Sequence, residues 1–148
     1  MRLRVRGYNK EEQSWIYGSL LEDCFEDRYY ILGDNQYNNM SGLCKVETET
    51  ISMYSGFRDE FGNPLYMGDK AVLYTKLTGK LTEWIKAEEG FINYSKKRGC
   101  WEFFVPNDHG FNKKYPLYKV ARNLNSQHRT IYDNMISKWE KENDCTTD

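Results

Sequence analysis

Features that mark metal proteins and the common enzyme classes are missing from this chain of 148 residues. Its four cysteines lie far apart without a C-x-x-C pair, and its two histidines form no H-x-x-x-H pattern, so we expect no metal site. The sequence also contains no phosphate-binding glycine loop and no G-x-S-x-G nucleophile motif. These absences predict a protein that has no catalytic residues, binds no cofactor and is not an enzyme.

Long apolar runs and an excess of one charge are missing as well. A helix that spans a bilayer needs about 20 apolar residues, and the runs in this sequence are only a few residues long. We therefore expect a protein that does not contact membranes. The 21 basic and 22 acidic residues give a net charge of −1, which argues against attraction of the whole chain to nucleic acid. Dispersed cysteines without a signal-peptide pattern predict reduced thiols in a cytoplasm.

Aromatic residues are abundant instead. They make up 16% of the chain, with 12 tyrosines and 4 tryptophans, and they favour β-strands. Short or alternating apolar runs predict strands at 3–6, 15–21, 25–32, 51–54, 71–75, 81–87, 90–94 and 101–105. Residues 117–124 are compatible with a further strand or with a loop. The apolar spacing from Ile131 predicts a C-terminal helix capped by Ser126; alternatively, residues 129–132 form a last strand and the helix begins near Asp133.

The densest local pattern lies at residues 51–70, where turn residues join two predicted strands. Its structural residues are Gly56, Asp59, Gly62, Pro64, Tyr66, Gly68 and Asp69. We expect Gly56 to end the first strand, either at a positive φ or where a side chain would not fit. The Asp59 carboxylate can accept hydrogen bonds from backbone N–H groups two or more residues later, and Pro64 fixes its own φ. Turn chemistry therefore accounts for this pattern without any substrate.

The same stretch resembles the YopX proteins of phages and prophages, in which T-V-x-Q-Y-T-G leads into L-x-D-x-x-G-x-x-I-Y-x-G-D. The matching positions are Thr50, Ile51, Tyr54, Gly56, Asp59, Gly62, Tyr66, Gly68 and Asp69. Met53, Met67 and Lys70 depart from the family pattern. The resemblance implies a mainly β protein with an N-terminal β-hairpin lobe, a C-terminal SH3-like barrel and a short C-terminal helix. It also implies a protein of the bacterial host cytoplasm, in a family without an established biochemical activity.

We expect one domain over residues 1–148, with two possible lobes that divide in the turn-rich segment. The first would contain residues 1–56, and the second would contain the barrel and the terminal helix at 57–148. No internal repeat and no low-complexity linker separates them.

Two groups of residues are candidates for a binding surface. Basic residues beside aromatic ones are typical of small β domains that hold single-stranded nucleic acid, and here they are Lys96, Lys97, Arg98, Trp101 and Phe103. Alternation would place Arg2, Arg4 and Arg6 on one face of a strand, either as a patch for an acidic partner or as the solvated face of an edge strand.

The leading functional prediction is a non-catalytic phage or prophage accessory protein that acts by binding or assembly, through a protein partner or self-association. The alternative is a single-stranded nucleic-acid-binding module that uses the face from Lys96 to Phe104. A third hypothesis, an enzyme built around Asp108 and His109, has no positioned partner in its support. The acidic pair Glu88 and Glu89 is interpreted as solvated turn charges.

Overall fold

The computed structural model describes residues 4–23, 28–33, 42–78, 83–107 and 110–144. Within these ranges the chain forms strands and two helices, joined by 3₁₀ turns at Thr48–Thr50 and Ala121–Asn123. The strands are β1 (Arg4–Asn9), β2 (Ser14–Asp23), β3 (Arg28–Gly33), β4 (Gly42–Lys45), β5 (Ser52–Arg58), β6 (Pro64–Tyr66), β7 (Asp69–Thr78), β8 (Glu83–Ser95), β9 (Cys100–Val105), β10 (Lys113–Pro116) and β11 (Leu124–Thr130). The helices are α1 (Leu117–Val120) and α2 (Asp133–Asp144).

The mainly β prediction is confirmed, since the strands form two antiparallel sheets and α2 is a short C-terminal helix. One sheet has the order β4-β3-β2-β1-β5-β6, and the other has the order β10-β9-β8-β7-β11. The second order has two free ends, β10 and β11, so this sheet is open and is not the closed barrel that the resemblance implied. Among the described residues, no helix is long and apolar enough to cross a bilayer.

The chain divides into two compact units. Unit 1 takes Met1–Tyr54 together with Tyr132–Asp148, and unit 2 takes Ser55–Ile131. β5 carries the chain from one unit into the other, because its residues lie on both sides of the division. The sequence-based lobes also changed near this point, but they placed the terminal helix with residues 57–148, whereas α2 belongs to unit 1.

The core of unit 1 lies against one face of β1 to β4. Its buried members are Val5, Ile16, Ile31, Cys44 and Val46. Because directly paired residues of antiparallel strands project on the same side, the Ile31–Cys44 pair between β3 and β4 contributes two neighbouring core side chains. Tyr29, Leu20 and Ile51 pack around this cluster and are partly buried.

Helix α2 is held to the β1–β2 hairpin by aromatic rings. The Tyr8 and Trp139 rings stack with centroids 6.2 Å apart, and the Trp15 and Tyr132 rings are also 6.2 Å apart. The Tyr8 hydroxyl donates a hydrogen bond to Glu140 Oε1 at 2.9 Å. Burial, and then the hydrogen bond to the Glu140 carboxylate, raise the pKa of Tyr8 to about 12. This contact joins residues that are 132 positions apart in the chain.

The core of unit 2 is larger and comes from one continuous stretch of chain. Its buried members are Leu65, Ala71, Leu73, Ile92, Phe103, Leu117, Ala121 and Leu124. The last three come from α1, the following 3₁₀ turn and the start of β11, so the residues between β10 and β11 supply part of the core. The sequence-based prediction of a strand or loop at 117–124 missed this helix, and it also missed β10.

β8 is a single strand of 13 residues where the sequence predicted two strands around a turn at 88–90. Gly90 is not a turn residue. A Cβ atom at this position would lie 2.9 Å from Phe103 Cζ and against the Phe104 carbonyl oxygen, so glycine is needed for close packing.

The end of the chain follows the second of the two alternatives. β11 continues to Thr130, and α2 begins at Asp133. Ser126 does not cap the helix, because it lies within β11.

Candidate functional site

The buried carboxylate of Asp59 organises the turn between β5 and β6. Asp59 Oδ1 accepts hydrogen bonds from the N–H groups of Phe61 and Asn63 at 2.9 and 2.8 Å. Asp59 Oδ2 accepts a bond of 2.8 Å from the Ser126 hydroxyl and a bond of 3.2 Å from its N–H group. Burial alone would raise the pKa of Asp59, but the hydrogen bonds from Ser126 and Asn63 outweigh burial and lower it. The predicted turn bonds are thus present, together with a link to β11 that the sequence did not reveal.

The glycines of this segment take the left-handed backbone conformation that its turns require. φ is +85° at Gly56, +83° at Gly62 and +87° at Gly68. No atom lies within 4 Å of a Cβ added at Gly56, so its backbone conformation, and not lack of space, accounts for glycine there. Gly56 does not end the first strand as predicted, because β5 continues to Arg58.

Asp69 has a second local role at the start of β7. Its Oδ2 atom accepts a hydrogen bond of 2.8 Å from the N–H group of Tyr66, the last residue of β6. Pro64 opens β6, and Tyr66 is buried. Both aspartates of the motif therefore accept hydrogen bonds from backbone N–H groups of neighbouring residues. Among the described residues, no group of three or more His, Cys, Asp or Glu side chains is arranged to hold a metal ion.

The arginines of β1 do not form one exposed row. Arg2 lies outside the described residues, and Arg4 is exposed. Arg6 is 4% exposed, and its guanidinium carbon lies 4.5 Å from the centroid of the Trp15 ring. The interpretation of Arg6 as part of a surface patch is therefore corrected, because its guanidinium packs on an aromatic ring inside unit 1.

The candidates between β8 and β9 separate into exposed, half-buried and buried residues. Lys96, Lys97 and Arg98 are exposed in the turn that joins these strands. Trp101 is half-buried and packs against the core of unit 2. Phe103 is 0% exposed, so it is a core residue and cannot contact a partner at the surface. The proposed enzyme pair, Asp108 and His109, lies outside the described residues.

Glu88 is a buried carboxylate, whereas the sequence-based interpretation made it a solvated turn charge. It accepts a hydrogen bond of 2.8 Å from the Tyr115 hydroxyl. Its oxygens lie 3.5 Å from Lys86 Nζ and 3.4 Å from Lys113 Nζ. Burial would raise the pKa of Glu88, but the bonds from Tyr115 and Lys113 lower it overall. Glu89, the next residue, is exposed, so the two members of the acidic pair have different roles.

The sequence-based analysis did not predict a surface of exposed apolar side chains in unit 1. Leu21, Leu32 and Leu43 are 48%, 41% and 58% exposed. Leu32 pairs with Leu43, and Leu21 pairs with Tyr30, so these four side chains lie on the same side of β2, β3 and β4. We call this group the leucine face. The run of residues 29–32, which is apolar at every position, was the available signal, because such a run makes both faces of a strand apolar.

Two exposed cations lie in the same cross-strand rows as the leucine face. Lys45 pairs with Tyr30, and Arg4 pairs with Ser19, which in turn pairs with Leu32. The leucine face is therefore apolar in the middle and has the basic residues Arg4 and Lys45 at its border.

A shallow depression lies in unit 2. It has a volume of about 230 Å³ and is lined by Glu60, Tyr74, Lys76, Ile85 and Asn123. Its wall mixes one acidic and one basic side chain with two exposed apolar ones. It does not have the enclosed, mainly apolar character of a small-molecule site.

No protein-family model matches this chain, and no curated protein matches it.

Proposed function

We propose that this protein is a non-catalytic binding module that contacts a protein partner through the leucine face of unit 1. The single observation that carries the proposal is the exposure of Leu21, Leu32 and Leu43 side by side on one sheet. Contiguous apolar side chains at a protein surface mark interaction sites, whereas exposed apolar residues that occur singly need no explanation. The neighbouring strands give this surface a fixed shape.

The charges around the face indicate the chemistry of the partner. Arg4 and Lys45 are exposed at the border of the leucine face. A partner that covers the leucines would bring its rim close to these cations, and acidic side chains in that rim would complement them. We therefore infer a partner with an apolar centre and an acidic border, rather than a second copy of this chain, whose own border would be basic.

The setting of this activity is also a proposal. The YopX resemblance of residues 50–69 supports a phage or prophage accessory role in the cytoplasm of a bacterial host. The absence of catalytic motifs from the sequence supports a role in binding or assembly rather than in a reaction.

Two matched amphipathic peptides test the binding surface. Both carry leucines on one face, and they differ only in having aspartate or lysine at the polar positions. We expect the aspartate peptide to bind more tightly, and we expect Leu32→Asp to weaken that binding by about tenfold or more, because a buried leucine contact is lost. Ile85→Asp, at an exposed apolar residue of unit 2, should leave the affinity unchanged.

Light scattering over a range of concentrations completes the test. A mass that stays at that of one chain supports an external partner. A mass that doubles in the wild type but not in Leu32→Asp would show that the leucine face binds a second copy of this chain. That result would contradict the proposal of a partner with an acidic border. Equal binding of both peptides by wild type and Leu32→Asp would contradict the use of this face altogether.

A further inference from the structure

The turn between β8 and β9 presents positive charge in a fixed conformation. The Arg98 N–H group donates a hydrogen bond of 3.2 Å to Ser95 Oγ, and the Gly99 N–H group donates one of 2.8 Å to the Ser95 carbonyl oxygen. Gly99 has a φ of +65°, which closes the turn into β9. The side chains of Lys96, Lys97 and Arg98 are all exposed on this turn.

No carboxylate of the described residues lies within ion-pair distance of these three cations. Lys86 and Lys113 in the same unit differ from them, since both are paired with Glu88. The sequence between Gly90 and Trp101 also contains no acidic residue. The turn is therefore a local concentration of positive charge on a chain whose net charge is −1.

An exposed aromatic ring lies next to this charge. Tyr94 is 40% exposed and pairs across the hairpin with Trp101. The two rings meet edge to face with centroids 5.3 Å apart. Because Trp101 packs against the core of unit 2, it supports the Tyr94 ring from one side and leaves part of that ring open to solvent.

We propose that this hairpin tip, formed by Tyr94, Lys96, Lys97, Arg98 and Trp101, binds single-stranded nucleic acid. The three cations contact phosphates, and one unpaired base stacks on Tyr94. Aromatic rings beside basic groups bind single strands without requiring a particular base, because every base has a flat face. A duplex keeps its bases stacked on one another and offers none to the Tyr94 ring. The site is separate from the leucine face and does not depend on the function proposed for it.

Fluorescence anisotropy with a labelled oligothymidine measures how much the three cations contribute to the binding affinity. With three phosphate contacts, log K should fall with log salt with a slope of about −2, since each contact on a single strand contributes about −0.7. Lys97→Glu should weaken binding by about fivefold or more at 0.1 M salt and should make the slope shallower. Lys119→Glu is the matched control, because Lys119 is an exposed lysine of α1, and it should bind like the wild type.

Substitutions of Tyr94 measure how much stacking of a base on this ring contributes to the binding affinity. Tyr94→Ala should weaken binding about five- to hundredfold, the range seen when a stacked ring is removed. Tyr94→Phe keeps the ring and should restore the wild-type affinity, which separates stacking from a general loss of structure. Leu32→Asp should also bind oligothymidine normally, so failure of the leucine-face proposal and failure of this one are distinguishable.

Three results would overturn the proposal. The first is an absence of oligothymidine binding at low salt. The second is equal affinity for oligothymidine and a duplex of the same length, with Tyr94→Ala unaffected. The third is tighter binding to vesicles that contain phosphatidylserine than to oligothymidine, with the same loss in Lys97→Glu, which would make the tip a site for anionic lipid.

Discussion

Unit 1 and unit 2 are both built on antiparallel sheets, but they close their cores with different parts of the chain. Unit 2 is continuous in sequence, and its core includes residues from β6, β7, β8, β9, α1 and β11. Unit 1 has a smaller apolar core and is completed by α2, which follows the whole of unit 2 in sequence. Unit 1 therefore combines segments that precede and follow unit 2 in the chain.

The two units also use buried polar groups differently. In unit 2, Asp59 bonds to Ser126 across 67 residues of chain, and its carboxylate supports a turn and a strand at once. In unit 1, a polar contact across 132 residues joins Tyr8 to Glu140 and lies beside the aromatic rings of Trp15 and Trp139. The core of unit 2 thus comes from one continuous stretch of chain, whereas unit 1 joins its sheet to a helix that is distant in sequence.

The largest expected effect tests the core of unit 2. Phe103→Ala should lower the free energy of unfolding by about 3–5 kcal/mol, because it removes a large, fully buried ring. Urea denaturation measures this change. Phe111→Ala is the matched control, since Phe111 is highly exposed, and it should change the stability by less than about 0.5 kcal/mol. A small effect of Phe103→Ala would contradict its place in the core and return it to the candidate binding residues.

An intermediate effect tests the docking of α2 in unit 1. Trp139→Ala should lower the free energy of unfolding by about 2–3 kcal/mol, because it removes a half-buried indole together with its stacking on Tyr8. Hydrogen exchange should show reduced protection in β1, β2 and α2, with β8 and β9 unchanged. Lys138→Ala, at an exposed residue of the same helix, should leave the exchange pattern as it is. Equal loss of protection in both units would show that they unfold together and would remove the distinction between them.

An effect equal to or smaller than that of Trp139→Ala is expected at the buried turn carboxylate of unit 2. Asp59→Asn should cost about 1.5–3 kcal/mol at neutral pH, because the hydrogen bonds of Asp59 are made to a charged acceptor. Glu60→Gln, at the exposed neighbour, should be close to neutral. Thermal or urea unfolding measured at each pH compares the two variants with the wild type.

The lowered pKa of Asp59 also predicts in which direction the stability changes with pH. The pKa of Asp59 is lowered in the folded protein from an ordinary value of 3.8. Its stabilising contribution is therefore complete above pH 3.8 and is lost as the pH falls further through the folded-state pKa. The Asp59→Asn variant should therefore lose less stability than the wild type as the pH falls through this acid range. An unchanged acid dependence would mean that other carboxylates account for it.

The sequence predicted the turn motif well because its interactions are local. The bonds from Asp59 to Phe61 and Asn63 span two and four residues, and the positive φ at Gly62 is set within the same turn. It failed at Glu88 and Gly90, which have the residue types of a turn but lie within a long strand. The neighbours that decide these positions, Tyr115 and Phe103, are remote in sequence.

The candidate binding residues divide for the same reason. The sequence predicted a charged turn between two strands, and turn residues are usually exposed. The three basic residues of this turn are exposed, namely Lys96, Lys97 and Arg98. Alternation alone could not distinguish Arg4 from Arg6, since both fall on one face of β1. The Trp15 ring on the neighbouring strand packs on Arg6, which is buried, whereas Arg4 is exposed.

By itself, the sequence determined the mainly β class and the chemistry of the mid-chain turn, since strand periodicity and turn bonds depend on neighbours a few residues away. The tertiary structure alone decided that α2 belongs to unit 1, that Glu88 is buried while Glu89 is exposed, and that three leucines meet on one face. These outcomes depend on which strands pair and in which register. Strand pairing is determined by the total burial of apolar surface and is not specified by any short segment.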